Sequence, residues 1–208
     1  KRLVRIRQNL PNRALPSVAS AVCQEMETSA WTRAVQPGCR IAIGVGSRDI
    51  ANIDVIVRTM IDFLKLRGAK PFVIPVMGSH GAATAKGQAD VLAHYGITEA
   101  TMGASIVSSL GVVTLGKTPE GIEVVMSHDA LEADGVVLCN RVKWHTAFEG
   151  KLESGMHKMM TIGLGKLTGA RRYHTYGLKL GLEQVIRSVG RKVLDTGKIL
   201  GGLAILED

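Results

Sequence analysis

The sequence predicts an α/β domain built on a mainly parallel, Rossmann-like sheet with flanking helices. Short apolar runs rich in Val and Ile alternate with segments whose apolar residues recur at helical spacing. Glycine-containing turns separate the two kinds of segment. The chain of 208 residues is 46% apolar but only 4% aromatic, so branched aliphatics and alanine must fill the core.

The elements follow in order. "RIAIGV" (40–45) is a first strand, ending in the turn "GSRDIAN". Ile53, Ile56, Met60, Ile61 and Leu64 then share one helix face, with Asn52 placed to cap and Gly68 to stop. "KPFVIPV" (70–76) is a second strand, and "GSHGAAT" lies at its end. A helix "ATAKGQADVLAHYG" closes at Gly96. Shorter strand candidates are "ASIVSS" (104–109), "GVVTLG" (111–116) and "GIEVVM" (121–126), the last two joined by the turn "KTPEG". "DGVVLCN" (134–140) reads as a buried strand and "LESGMHKMMTIGL" (152–164) as helical, with Ser154 and Gly155 near its start. "LEQVIRSVGRKVLD" (182–195) is an amphipathic helix, and "LGGLAIL" (200–206) a last strand. No repeat, low-complexity tract or internal linker interrupts the chain, so residues 1–208 are expected to form one domain. A start without Met and a strand running almost to Asp208 suggest a piece of a longer protein. A further C-terminal domain is therefore expected.

Composition narrows the function. The formal charge is +8, yet Lys and Arg are scattered and aromatics do not interleave with them. That pattern argues against nucleic acid and favours a small anionic partner, a phosphate or carboxylate, with an uneven solvated surface as the competing reading. No apolar run is long enough to span a bilayer, and the basic start "KRLVRIRQNLPNR" lacks the apolar core of a secretory signal. Cys23, Cys39 and Cys139 lie far apart without C-x-x-C spacing, which suits a reducing, cytoplasmic setting rather than a disulfide framework or zinc site.

Chemistry gathers at the strand ends, where open α/β sheets bind ligands. Ser47 and Arg48 follow the first strand, His80 the second, and His145 the strand at 134–140. "GVGSRD" lacks the third glycine of a dinucleotide fingerprint, so it reads as a tight turn whose amides and Arg48 meet an anion. A surface ion pair is the competing role for Arg48. His80 has small neighbours that leave its imidazole accessible; filling a turn is its competing role. The stretch "RVKWHTAFEGKLESGMHK" (141–158) holds two of the six histidines and three lysines. Ser154 and Gly155 at a helix start beside Lys158 form a candidate phosphate or carboxylate site. The methionines that follow read as core. No H-x-x-x-H spacing supports a zinc cage made by the protein alone, whereas a metal held by a cofactor needs only one histidine.

The motifs "VGSR", "GSHGAATAKGQ", "NRVKWHT", "ESGMHKMMTIGLGKLTGA" and "RRYHTYG", taken in order and spacing, resemble the nickel-pincer lactate racemase family over nearly the whole chain. The resemblance implies an isomerase, a racemase or epimerase of a 2-hydroxy acid, that uses a nickel-pincer nucleotide cofactor. It further implies that His80 and His145 are paired acid/bases and that Arg48 binds the substrate carboxylate. Lys158 matches the lysine joined to the cofactor, with Ser154 and Gly155 beside it, and His174 matches the nickel ligand. The chain departs from the family pattern in three places. "SGMHK" replaces a Gly-Gly-Arg-Lys run, Gly81 stands where an arginine often follows the first histidine, and Val45 stands where an acidic residue is expected. These departures leave open whether Lys158, Lys166 or no lysine forms the covalent link, and which acid is the substrate. The implied chemistry accounts for the residue types. A C2 carbanion beside a carboxylate is prohibitively costly, so the cofactor takes hydride instead and returns it to the other face of a planar 2-oxo acid. Imidazoles handle the hydroxyl proton, one on each side. Two other readings compete. A non-catalytic binder of an anionic nucleotide or metal cofactor would have no use for both histidines, and the missing glycine disfavours a nicotinamide-dependent dehydrogenase.

Overall fold

The computed structural model describes residues 3–9, 13–145 and 148–207. Helix α1 (Val18–Thr28) is capped by the Ser17 hydroxyl and leads to strand β1 (Arg40–Val45). Helix α2 (Ile53–Leu66), strand β2 (Lys70–Pro75), helix α3 (Ala85–His94) and a single turn, α4 (Glu99–Met102), follow. Strands β3 (Val112–Lys117) and β4 (Glu123–Ser127) form an antiparallel hairpin outside the main sheet. After α5 (His128–Glu132) comes β5 (Gly135–Arg141), then the short α6 (Met156–Lys158). Helices α7 (Lys166–Leu180) and α8 (Leu182–Leu194) precede β6 (Ile199–Ile205).

The main sheet has the order β2-β1-β5-β6, and every pairing in it is parallel. Strands β1, β2 and β5 are covered on both faces, which is why they read as continuous apolar runs. The strand period of two divides the core. Ile41, Ile43, Val45, Val73, Val137 and Cys139 face α1 and α2. Ala42, Phe72, Ile74, Val136 and Leu138 face the hairpin, the 156–164 segment and α8. Tyr173 of α7 ties the hairpin down: its hydroxyl accepts from the Val125 N–H at 2.8 Å and donates to the Val125 carbonyl at 3.3 Å. Among the described residues no helix is long and apolar enough to cross a membrane, and all three cysteines are free thiols.

Several expectations need correction. "ASIVSS" makes only one parallel bridge, Ile106 to Val73. The serines that follow spend their hydroxyls elsewhere, Ser108 on the Ala85 carbonyl and Ser109 on Asp129. Asn52 precedes α2 but in a left-handed conformation (φ 54°), with no capping bond from its side chain. The helix expected over 152–164 is three α-helical residues running into a π turn, Met159–Gly163, where the Leu164 N–H donates to the Met159 carbonyl at 2.8 Å. Close packing accompanies the wider turn: a Cβ on Gly163 would stand 2.4 Å from Val76 Cγ1.

Candidate active site

Because β1, β2 and β5 run parallel and adjacent, their carboxyl ends meet at one edge of the sheet. The loops leaving them enclose an open cleft of about 800 Å³, counted out to bulk solvent. Arg48, His80, Lys143, His145, Ser154 and Lys158 all line it, and none of the described residues lining it is acidic. The strand-end residues and the lysine singled out in the sequence are thus brought together.

His80 is fixed from two directions. Ser47 Oγ lies 2.6 Å from its Nδ1, and its backbone N–H donates to the Met77 carbonyl at 3.2 Å. Beneath the loop, buried Gln88 donates from Nε2 to the Gly78 carbonyl at 2.8 Å. Gly81 is required where it stands. Its φ is 64°, and a Cβ there would lie 2.5 Å from the Gly87 backbone, so an arginine has no room. Ala82 and Ala83 continue in left-handed conformations, φ 52° and 56°, a strained pair next to the site.

His145 is held through its backbone. Glu153 accepts the His145 N–H at 2.6 Å with one oxygen and the Gly150 N–H at 3.0 Å with the other. Those backbone donors hold the Glu153 carboxyl below its ordinary range against the opposing effect of burial. The Phe148 ring packs against the imidazole at 4.4 Å between centroids. Ser154 accepts the Lys143 N–H at 2.8 Å and so closes the same loop. Gly155, with φ 83°, turns the chain into α6. A helix of three residues offers little dipole, so the anion attraction expected of a helix start rests on Lys158 and its cationic neighbours.

The charges weigh on one another. Burial pushes Lys158 down to about 8, with Arg48 and Lys143 adding to the effect and Glu153 opposing it. His80 lies below the usual imidazole value because of burial first, then Arg48 and Lys158. His145 is lowered by burial, then by Lys158 and Arg48. The cleft therefore favours neutral imidazoles and attracts anions.

Three sequence candidates lie outside the lining: Gly155, His174 and Lys166. His174 is exposed on α7, close enough for its charge to weigh on His145. Its Nδ1 is 2.6 Å from the Ala170 carbonyl. A carbonyl only accepts, so Nδ1 carries a proton, and in the neutral ring it is Nε2 that keeps the lone pair. Lys166 is fully buried, and its Nζ donates to the Pro75 carbonyl at 2.8 Å, away from the cleft. Sequence reasoning passed over Glu153, Asn140 and Trp144. Asn140 and Trp144 line the cleft, and Trp144 is 84% exposed. Only their nearness to His145 signals them. Among the described residues no three His, Cys, Asp or Glu side chains form a group able to hold a metal.

The fold is similar to that of the lactate racemase apoprotein from Thermoanaerobacterium thermosaccharolyticum, with a TM-score of 0.70 at 15% sequence identity. The match covers 97% of this chain and 53% of that one, so the chain spans about half the length of that racemase. No curated protein matches the chain. The model of the lactate racemase N-terminal domain matches residues 8–180, and the chain belongs to that family.

Proposed function

We propose that the chain is the N-terminal, cofactor-binding and catalytic part of an isomerase that racemises or epimerises a 2-hydroxy acid. One observation carries the reading: two imidazoles from different strand ends share a cleft with Arg48 and Lys158 and, among the described residues, without any carboxylate. A binder of an anionic nucleotide needs the cations alone. Two histidines facing one anion site answer a need for proton transfer on two sides of a substrate.

The residues fit a nickel-pincer nucleotide. Cations suit its phosphate, and Lys158, lowered to about 8, keeps a share of neutral amine for a covalent link. Ser154 and Gly155 border that lysine. His174 has the arrangement usual in a metal ligand, with Nδ1–H on a carbonyl and Nε2 open. When bound, the cofactor supplies the hydride acceptor that amino-acid side chains lack.

The chain's own residues do the rest. Arg48 grips the substrate carboxylate through two N–H donors and orients C2. His80, neutral at working pH, accepts the hydroxyl proton of one stereoisomer. His145, having gained a proton from solvent, donates it to the same oxygen when the other isomer forms, and in the reverse direction the roles exchange. Solvent exchange through the open cleft resets the pair. The substrate is a small hydroxy acid, and the second domain and the cytoplasmic location expected from the sequence belong to the same proposal.

The test is stereoisomer interconversion by cofactor-loaded, full-length protein across short aliphatic, dicarboxylic and sugar acids. His80→Ala and His145→Ala are each expected to lose roughly 10²–10⁴-fold. His174→Ala is expected to lower nickel content. Wild-type rates in both single-histidine variants would sink the two-base reading.

A further inference from the structure

The two imidazoles are held differently. His145 is positioned through its backbone by Glu153, whereas the His80 ring itself is engaged, with Nδ1 2.6 Å from Ser47 Oγ. That contact joins residues 33 apart in the chain. Sheet register creates it: Val45 of β1 stands opposite Pro75 of β2, so the two following loops leave side by side.

A hydroxyl beside an imidazole can either donate to Nδ1 or accept from Nδ1–H. If it donates, Nε2 carries the proton and the ring faces the cleft as an acid only. If it accepts, Nε2 presents a lone pair, and Ser47 keeps its own proton for a ligand. Ser47 also precedes Arg48, and both line the cleft. A carboxylate gripped by Arg48 is therefore within the region served by the Ser47 hydroxyl. An anion there accepts a hydrogen bond from the Ser47 O–H, which turns an Oγ lone pair towards Nδ1–H.

We propose that Ser47 is a positioning residue that accepts the Nδ1–H of His80, fixing the tautomer whose Nε2 is the base. This rests on the racemase reading for its catalytic meaning, but the tautomer is a property of the ring alone. The bond persists when His80 gains a second proton, and it strengthens because the donor is then charged. Ser47 thus offsets part of the effect of Arg48 and Lys158, the cations that disfavour the imidazolium.

Two measurements on full-length, cofactor-loaded protein test the idea. In Ser47→Ala, kcat for interconversion should fall about tenfold, the worth of one net hydrogen bond, with KM and nickel content nearly unchanged. The acid limb of its pH–rate profile should move to lower pH, and Ser47→Thr, which keeps a hydroxyl, should restore both. Unchanged kcat and an unmoved limb would overturn the proposal. Independently, nitrogen NMR of His80 with a 2-hydroxy acid present should report a proton on Nδ1 in the wild type and a mixture of tautomers in Ser47→Ala. A proton on Nε2 in the wild type would overturn it as well. If the wild-type protein interconverts no hydroxy acid, the racemase reading fails while the NMR result still decides the role of Ser47.

Discussion

Lys166→Met should erase a specific pH dependence of folding stability. Lys166 is fully buried, and among the described residues its ammonium has one acceptor, the Pro75 carbonyl at 2.8 Å. Burial lowers it from 10.5 to about 8, with Asp129 pulling the other way. At about 1.4 kcal/mol per pH unit, that depression is worth roughly 3 kcal/mol. The sign follows from proton counts. Between the two values the unfolded lysine keeps its proton and the folded one has lost it, so rising pH favours the folded state. Below the folded value both states are protonated, and the cost of burying the charge is paid in full. About 2 kcal/mol of the gain should appear between about pH 7.5 and 9.5. The assay is urea unfolding of wild type and Lys166→Met across that range. Other titrating groups are common to both proteins and cancel in the difference. Methionine leaves the Pro75 carbonyl without its donor, which offsets the constant difference but not the slope. Parallel stability curves would show that Lys166 titrates as if exposed, and the burial argument would fail.

Glu153→Gln replaces one of two accepting oxygens with an amide donor, so the His145 and Gly150 amide protons should exchange about tenfold faster in hydrogen-exchange mass spectrometry. Unaltered exchange would remove Glu153 as the clamp of that loop. Gly163→Ala places a methyl 2.4 Å from Val76 Cγ1 and 2.8 Å from the Val76 carbonyl. Such overpacking should destabilise the fold by about 1–3 kcal/mol in denaturant titration, and a neutral result would mean that the 156–164 segment shifts freely. With Lys158 lowered to about 8, an amine-acylating reagent near that pH should modify it ahead of the exposed lysines, with protection by a 2-hydroxy acid. Labelling at the rate of Lys86 would contradict the lowered value.

The parallel sheet was legible because β1, β2 and β5 are buried on both faces. "RIAIGV" and "KPFVIPV" carry that burial openly in their side chains. The ends of such strands locate a site by topology alone, which is how Arg48, His80 and His145 could be grouped without a contact map. Helix α7 was not legible. Its buried positions are Lys166, Gly169, Ala170 and Tyr173, so no aliphatic stripe marks its inner face. The placement of Ser47 against His80 depends on strand register, and that of Glu153 on a loop closing over eight residues. Neither leaves a periodic trace. His174 was found through resemblance, and its place on an outer helix has no signal in local pattern.

The π turn at Met159–Gly163 also makes the angular phase of this segment adjustable. A π turn is an α-helical turn holding one residue too many, so removing one residue between Met159 and Gly163 would let ordinary helical bonds close. The hydrophobic anchor at Leu164 lies at the far end and has reason to stay in place. Everything before the deletion would then rotate by about 100° around the helix axis. Lys158 would swing with it and leave the cleft, although no residue of the site had been replaced. The extra residue works as an angular offset, setting which side chain faces the ligand. Length changes in this segment among related chains should accordingly exchange the amine that faces the cleft rather than break the fold.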